Sequence, residues 1–327
     1  MQRDVDLIEE VVRAFGVDKV PGSDRSRSTP SSAADDSHNL ESALRERLSA
    51  QGLWEVRTSK LIPRSAAAAS SAIELRNPLT EDHVALRPNL ISGLLAVLDR
   101  NVRAGAERVA IFEIGRTFLP PQAKEHRHLG ILLWGDTASA PHWRTGEKRK
   151  LDVIDLKGSL EAISTEPFSF RRTRHDDLSL AMEIRLRERK VGVGGQLAGF
   201  NAAVINAPGA VLVAEIDLDS LLIETPRVVF REMERFPSVT RDIAMILSEE
   251  ILHEQILRAI ENPKEPLLES VELFDLFTEQ IGAARKSLAY RLTYRDRSRT
   301  LTSEEVNAAH AKIRERLRRD LGAELRE

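Results

Sequence analysis

Residues 271–301 read VELFDLFTEQIGAARKSLAYRLTYRDRSRTL. In its second half Leu288, Tyr290, Leu292 and Tyr294 alternate with Ala289, Arg291, Thr293 and Arg295. A period of two predicts a strand with one apolar and one polar face. The apolar run Val271–Phe277 supplies a partner strand, and the connection carrying Gly282 and Lys286 makes the pair a hairpin. Upstream, Pro237–Leu247 (PSVTRDIAMIL) reads as a strand and Leu252–Ile260 as a helix with Ile256, Leu257 and Ile260 on one side. Downstream, Thr302-Ser303-Glu304-Glu305 opens a long helix, since hydroxyl caps and carboxylates suit a helix N-terminus. Gly322 closes that helix, and Ala323–Arg326 forms a last strand. The order β-α-β-β-α-β is the split unit of a ferredoxin-like domain, whose helices cover one sheet face and leave the other available.

Composition bounds the rest. The chain has 327 residues, enough for two or three domains. Forty-eight Lys and Arg against 51 Asp and Glu give a net charge of −3, so any nucleic-acid contact must come from a local patch. Cysteine is absent, which excludes disulfides and thiolate metal sites and is compatible with a cytoplasmic location. No stretch reads as a membrane span.

Ahead of the tail the pattern is mixed. Asp4–Phe15 is an amphipathic helix with Leu7, Ile8, Val11, Val12 and Phe15 on its apolar side, and residues 23–36 read as a Ser-, Arg- and Asp-rich linker. Helices are predicted over Leu40–Ala50, Leu86–Asn101 (with Pro88 in its first turn) and Leu151–Ile163. Strands are predicted over Leu53–Leu61, Arg108–Phe118, His128–Trp134, Phe168–Thr173, Leu180–Leu186, Lys190–Gln196 and Val211–Asp217. Such a mixture implies one α+β domain on an antiparallel sheet.

Five motifs of the tail, FPSVTRD, LFDLF, KSLAYRLTYRD, RTLTSEEVN and the terminal GAELR, follow one another over about the last ninety residues. Together they resemble the ferredoxin-fold anticodon-binding domain of the bacterial phenylalanyl-tRNA synthetase beta subunit. The middle is similar to the same family's class II synthetase-like pseudo-catalytic module, through Asn77-Pro78-Leu79, Leu86-Arg87-Pro88-Asn89-Leu90, Ile111-Phe112-Glu113-Ile114-Gly115-Arg116 and Asp155-Leu156-Lys157-Gly158. The opening DLIEEVVRAFGVDKVP resembles the end of a small metal-binding domain. The resemblance implies a remnant of that domain over residues 1–22, the linker 23–36, a pseudo-catalytic domain over 37–228 and the anticodon-binding domain over 229–327. It also implies a chain that begins inside a domain, as a C-terminal portion of a longer subunit would.

The resemblance carries expectations about chemistry. The family's anticodon contacts map to Asp275, Phe277, Ser287 and Arg326, where carboxylate and hydroxyl hydrogen-bond a splayed base and the ring stacks on it. The family usually has Tyr where Phe277 stands; stacking survives the change and a hydroxyl contact does not. Lys286, Arg291, Arg295 and Arg299 (with Arg285 and Arg297 nearby) are expected to meet tRNA backbone phosphates, although a charged exposed hairpin reads equally well from the residues alone. Arg241 is expected in a structural ion pair with Asp275 or another acid. Asp6, Glu9 and Glu10 match the family's Mg²⁺ pattern, whose first aspartate would lie before Met1; from the residues alone the three acids read as a solvated helix face.

No catalytic residue is expected in this chain. GRTF runs on into Leu119 where a working class II site would carry an arginine on the ATP phosphate, and Val191–Gln196 supplies glycines without an arginine, as tight strand packing requires. His126 and His128 beside Glu125 read as a strand-edge loop rather than a metal site, Trp143 as a loop anchor, and Asp155 with Lys157 as structural. The expected partners are the alpha subunit, in an α₂β₂ ligase that uses ATP and shares Mg²⁺ with this chain, and tRNA(Phe), with no membrane. The alternative is a stand-alone tRNA-binding or regulatory paralogue without ligase activity.

Overall fold

Apolar alternation over long strands builds the main element of the N-terminal half, a seven-stranded sheet. The computed structural model describes residues 3–22, 32–68, 72–137, 149–199, 207–221, 233–262, 265–277 and 284–326. It divides into two compact units, Met1–Arg227 and Val228–Glu327. In the first unit the elements are α1 (Asp4–Phe15), α2 (Ala33–Ala50), β1 (Trp54–Glu55), β2 (Leu61–Ile62), α3 (Arg64–Ala68), β3 (Ile73–Glu74), β4 (Ala85–Leu86) and α4 (Ile91–Arg103). After them come β5 (Arg108–Leu119), β6 (Lys124–Gly135), α5 (Val153–Glu161), β7 (Ser169–His175), β8 (Leu178–Leu186), β9 (Arg189–Leu197) and β10 (Val211–Asp217).

The large sheet runs β1-β5-β6-β10-β9-β8-β7, antiparallel apart from the parallel β1–β5 edge. Alternation along β5, β6 and β10 sends Phe112, Ile131 and Ala214 to one face, where Leu44 and Leu48 of α2 and Leu156 and Leu160 of α5 complete the core. Ile111, Leu132 and Val213 point the other way, against Leu94 and Leu98 of α4. At the glycines of β9 the neighbouring strands approach closely. A Cβ on Gly195, whose φ is +152°, would lie 1.8 Å from the Leu180 carbonyl oxygen. The glycines therefore serve strand packing.

Three local expectations are corrected. The linker reading overran its end, because α2 begins at Ala33 with Ser32 as cap: the Ser32 hydroxyl accepts from Asp35 N–H, and the Asp35 carboxylate accepts from Ser32 N–H at 2.7 Å. The helix expected from Leu86 begins at Ile91, because Leu86 pairs with Leu61 and Ile73 in a small second sheet ordered β2-β4-β3. Pro88 thus precedes the helix. The strand expected over Leu53–Leu61 breaks into β1 and β2, with Thr58 between them turned inward to the Glu113 carboxylate at 2.7 Å.

The second unit holds β11 (Val239–Ser248), α6 (His253–Glu261), β12 (Leu268–Phe277), β13 (Arg285–Tyr294), α7 (Ser303–Leu321) and β14 (Glu324–Arg326). Its four strands are ordered β12-β13-β11-β14, all antiparallel. This is the ferredoxin-like β-α-β-β-α-β arrangement. Leu288, Tyr290, Leu292 and Tyr294 are all buried, packed with Ile256 and Ile260 of α6 and Val306, Ile313 and Leu317 of α7. The tyrosine hydroxyls keep partners, Tyr290 with the exposed His253 Nδ1 at 2.7 Å and Tyr294 with the buried His310 Nδ1 at 3.2 Å. Thr302 and Glu305 form the capping box of α7, and Gly322 ends it in the left-handed conformation. Lys286, expected in the hairpin connection, lies inside β13; Gly282 falls outside the described residues.

Candidate nucleic-acid interface

The helices of the second unit cover only one face of its sheet. Residues paired across antiparallel strands share a face, so register decides what the other face carries. Asp275 pairs with Ala289, Ala289 with Ala244, and Ala244 with Arg326. One rung thus crosses all four strands, with a carboxylate at one edge, a guanidinium at the other and two alanines between. Three strand spacings separate its ends, roughly 14 Å. On the adjacent rung Phe277 pairs with Ser287, and Ser287 with Ile246. The four residues expected to meet an anticodon therefore stand together on the open face. Among the described residues none of these four side chains has a hydrogen-bond or ion-pair partner. Phe277 is 46% exposed.

A bulge makes this arrangement. Leu273 pairs with Tyr290 and Asp275 with Ala289, leaving Phe274 as the extra residue. In strict alternation Asp275 and Phe277 would share the helix-covered face with Leu273. The bulge moves them to the open side and sends Leu276 opposite Leu288. Phe274 itself packs against Arg291, with the guanidinium carbon 4.9 Å from the ring centroid.

The basic residues of the hairpin are not gathered as expected. Arg291 shares the open face but donates twice to Asp242, at 3.0 Å each, and holds that carboxyl below the usual range. Lys286 has the parity of Leu288 and donates to the carbonyls of Glu249 and Ile251 at 3.0 and 2.5 Å. Arg295 grips Glu269 at 3.0 Å and the Phe236 carbonyl at 2.6 Å. Arg299 binds Glu305 bidentately at 2.9 and 2.6 Å, lowering that carboxyl to about 2. Arg285 reaches Glu324 at 2.5 Å. These cations are matched to local acids and carbonyls, so they offer no single free phosphate-binding surface. Arg241 also differs from expectation: its partners are Asn307 Oδ1 at 3.3 Å and the Thr240 carbonyl at 2.9 Å, not Asp275.

The acids of α1 are likewise not a ligand set. Asp6 accepts from the Arg3 backbone N–H at 3.4 Å, and Glu10 pairs with Arg13 at 3.0 Å. Among the described residues no three His, Cys, Asp or Glu side chains are grouped to hold a metal. Asp6, Glu9 and Glu10 lie along an exposed helix and by themselves do not fit Mg²⁺.

The first unit spends its polar groups internally. Under α4, Arg87 and Glu113 pair at 2.8 Å with both side chains 3% exposed. Arg87 also donates to Thr58 Oγ1 at 2.8 Å and to the Arg116 carbonyl at 2.9 Å. Beside them His128 Nδ1 lies 2.9 Å from Glu215 and 3.0 Å from Thr117 Oγ1, and Glu215 accepts from Leu90 N–H at 3.2 Å. A Cβ on Gly115 would lie 2.4 Å from Arg87 Nη2, so this face is filled. His126 and His128 are within β6, not in a loop. Asp155 is the N3 member of the capping box that Asp152 opens on α5 and pairs with Arg149 at 2.6 Å, while the Lys157 ammonium sits 5.0 Å from the Phe170 ring centroid. Trp143 lies outside the described residues.

Residues 24–218 match the model of the phenylalanyl tRNA synthetase beta chain CLM domain, and residues 234–326 match the ferredoxin-fold anticodon binding domain. The chain belongs to the phenylalanyl-tRNA synthetase beta chain family. Relatives named phenylalanine–tRNA ligase beta subunit include that of Syntrophus aciditrophicus, 31% identical over 99% of this chain and 43% of the relative. That of Symbiobacterium thermophilum is 34% identical over 99% and 38%, and that of a Synechococcus strain 33% identical over 100% and 42%. The chain thus spans about two fifths of the length of these curated relatives. A solved pyrrolysyl tRNA synthetase from Desulfitobacterium hafniense covers 57% of this chain and 67% of its own at 20% identity and a TM-score of 0.44. Among the described residues of this beta chain family member, the unit matched by the ferredoxin-fold anticodon binding domain has one sheet face that no helix covers.

Proposed function

We propose that this chain acts in phenylalanine–tRNA ligase as a non-catalytic portion of the beta subunit. The tail domain holds the anticodon of tRNA(Phe), and the pseudo-catalytic domain scaffolds an alpha subunit that activates phenylalanine with ATP and forms the ester. An α₂β₂ assembly in the cytoplasm completes the reading. Among the described residues no helix is long and apolar enough to cross a membrane. The observation that carries the proposal is the pair of rungs bearing Asp275, Phe277, Ser287 and Arg326 on the sheet face away from the helices, with no side-chain partners among the described residues.

On that face Phe277 stacks on a splayed base, Ser287 beside it hydrogen-bonds the base edge, and Asp275 accepts from a base N–H. Arg326 meets the anticodon backbone from the opposite edge, and Ala289 and Ala244 leave room between. Backbone contact through the hairpin rests mainly on Arg291, which lies within β13 on that face. A Mg²⁺ ion near Asp6, Glu9 and Glu10 needs ligands from the alpha subunit. The test is a titration of the full chain with tRNA(Phe) transcripts carrying the native or a replaced anticodon. Preference for the native transcript, lost in Phe277→Ala, supports the reading; equal affinity for both contradicts it.

A further inference from the structure

The hairpin arginines of the tail are matched to acids; several arginines elsewhere have no such partner among the described residues, and two of these share one strand edge. Strand β7 reads SFRRTRH over Ser169–His175 and is the last strand of the large sheet. Arg171 pairs with Glu188 at 2.8 Å. Arg172 and Arg174 are exposed, and among the described residues neither has an ion-pair or hydrogen-bond partner. Together with Thr173, His175 and Ser179 they line a groove of about 460 Å³ at the sheet margin. The register with β8 slips between Thr173 and His175, where β8 carries an extra residue opposite Arg174.

We propose that this margin is a second RNA-backbone site, where Arg172 and Arg174 neutralise phosphates of the tRNA outside its anticodon loop. It rests on the reading that the chain binds tRNA. An edge strand presents alternate backbone N–H groups outward, and backbone N–H with arginine is the usual donor set for nucleic-acid phosphates. Asp176 lines the turn end of the groove, and the Asp177 carboxylate beside it lies 4.0 Å from His175 Nδ1, so the turn's acids lie at one end of the arginine pair. The remaining His175 ring accepts from Asp177 N–H at 3.3 Å, which orients it along the groove wall. A single charge would be enough to block sheet-to-sheet pairing at an edge. Two exposed guanidiniums on one strand edge, neither in an ion pair among the described residues, present donors that suit a phosphate backbone.

The experiment is a salt titration of the full chain with the native and anticodon-replaced tRNA(Phe) transcripts. Arg172→Ala with Arg174→Ala is expected to flatten the plot of log affinity against log salt by about 1.4–1.8, at about 0.7–0.9 per phosphate lost, equally for both transcripts. Arg172→Lys with Arg174→Lys keeps the charge and is expected to keep the slope. Phe277→Ala removes anticodon discrimination and leaves the slope unchanged, which separates failure of this site from failure of the anticodon reading. A slope unmoved by the alanine pair overturns the proposal, as does a lysine pair that falls with the alanine pair. Loss of alpha-subunit co-purification with an unchanged slope also overturns it, assigning the edge to a protein contact.

Discussion

Both units set a polar group of residues on one face of a sheet, and they use it in opposite ways. Under α4 the Arg87–Glu113 pair, Thr58, His128 and Glu215 are covered and satisfy one another. On the tail sheet Asp275, Phe277, Ser287 and Arg326 have no side-chain hydrogen-bond or ion-pair partner among the described residues. Buried polar groups must be paired or they cost stability. Exposed groups held by strand register carry no such debt and remain available to a ligand. The first unit therefore invests its polar chemistry in rigidity, and the second leaves it available to a ligand.

The largest expected effect tests the covered half of that contrast. Arg87→Met strands a buried carboxylate and is expected to cost about 3–5 kcal/mol. Adding Glu113→Leu is expected to recover most of the loss. All three tryptophans lie before residue 150, so tryptophan fluorescence during urea unfolding follows this unit alone. If Arg87→Met unfolds with the wild type, the pair is not structural. Arg291→Ala, by contrast, breaks an exposed pair and should leave the tail's unfolding midpoint nearly unchanged.

The uncovered half is sharpened by Phe277. Removing a stacking ring costs about 1–3 kcal/mol of affinity, or roughly one to two orders of magnitude. Phe277→Ala should lose this much for native tRNA(Phe), whereas Phe277→Tyr should retain it, as read by filter binding. Equal loss in both variants would remove the stacking role.

Smaller effects concern the scaffold behind the open face. Thr302→Ala deletes the cap of α7 and is expected to cost the tail unit about 1 kcal/mol. The two tyrosines of the chain lie in its core, so near-ultraviolet circular dichroism from tyrosine reports it. His310 gives a pH signature. Burial, then the nearby Arg314 and Arg241, lowers its pKa below 6.5 in the folded chain. The unfolded chain therefore binds the extra proton first, and tail stability should fall as pH drops below about 6.5. His310→Gln should show a shallower acid loss between pH 7.5 and 5.5 in thermal melts. An identical acid loss would exclude His310 as its source.

Much of the fold was legible because its strands alternate cleanly. Leu288, Tyr290, Leu292 and Tyr294 announced a covered face, and Thr302 to Glu305 announced a helix start; both are in place. Short elements were harder. Leu53–Leu61 has strand-like residues, but burial of Thr58 against Glu113 interrupts it, and a partner 55 residues away leaves no local trace. Ser32 and Asp35 carried a cap signal that the surrounding Ser and Asp residues masked. At the candidate site the family resemblance pointed to Asp275, Phe277, Ser287 and Arg326, but alternation alone would have turned Asp275 and Phe277 to the covered face. The Phe274 bulge that corrects this depends on pairing with β13. The hairpin cations misled for a related reason: Asp242, Glu269 and Glu324 are distant in sequence from the arginines they meet.

The claim that the open tail sheet reads the anticodon is tested most directly by one comparison. The full chain is titrated with tRNA(Phe) transcripts of native and replaced anticodon, as wild type and as Asp275→Ala with Arg326→Ala. The wild type should prefer the native transcript by about tenfold or more, and the double variant should bind both alike. A wild type indifferent to the anticodon, or a double variant that still discriminates, would contradict the account.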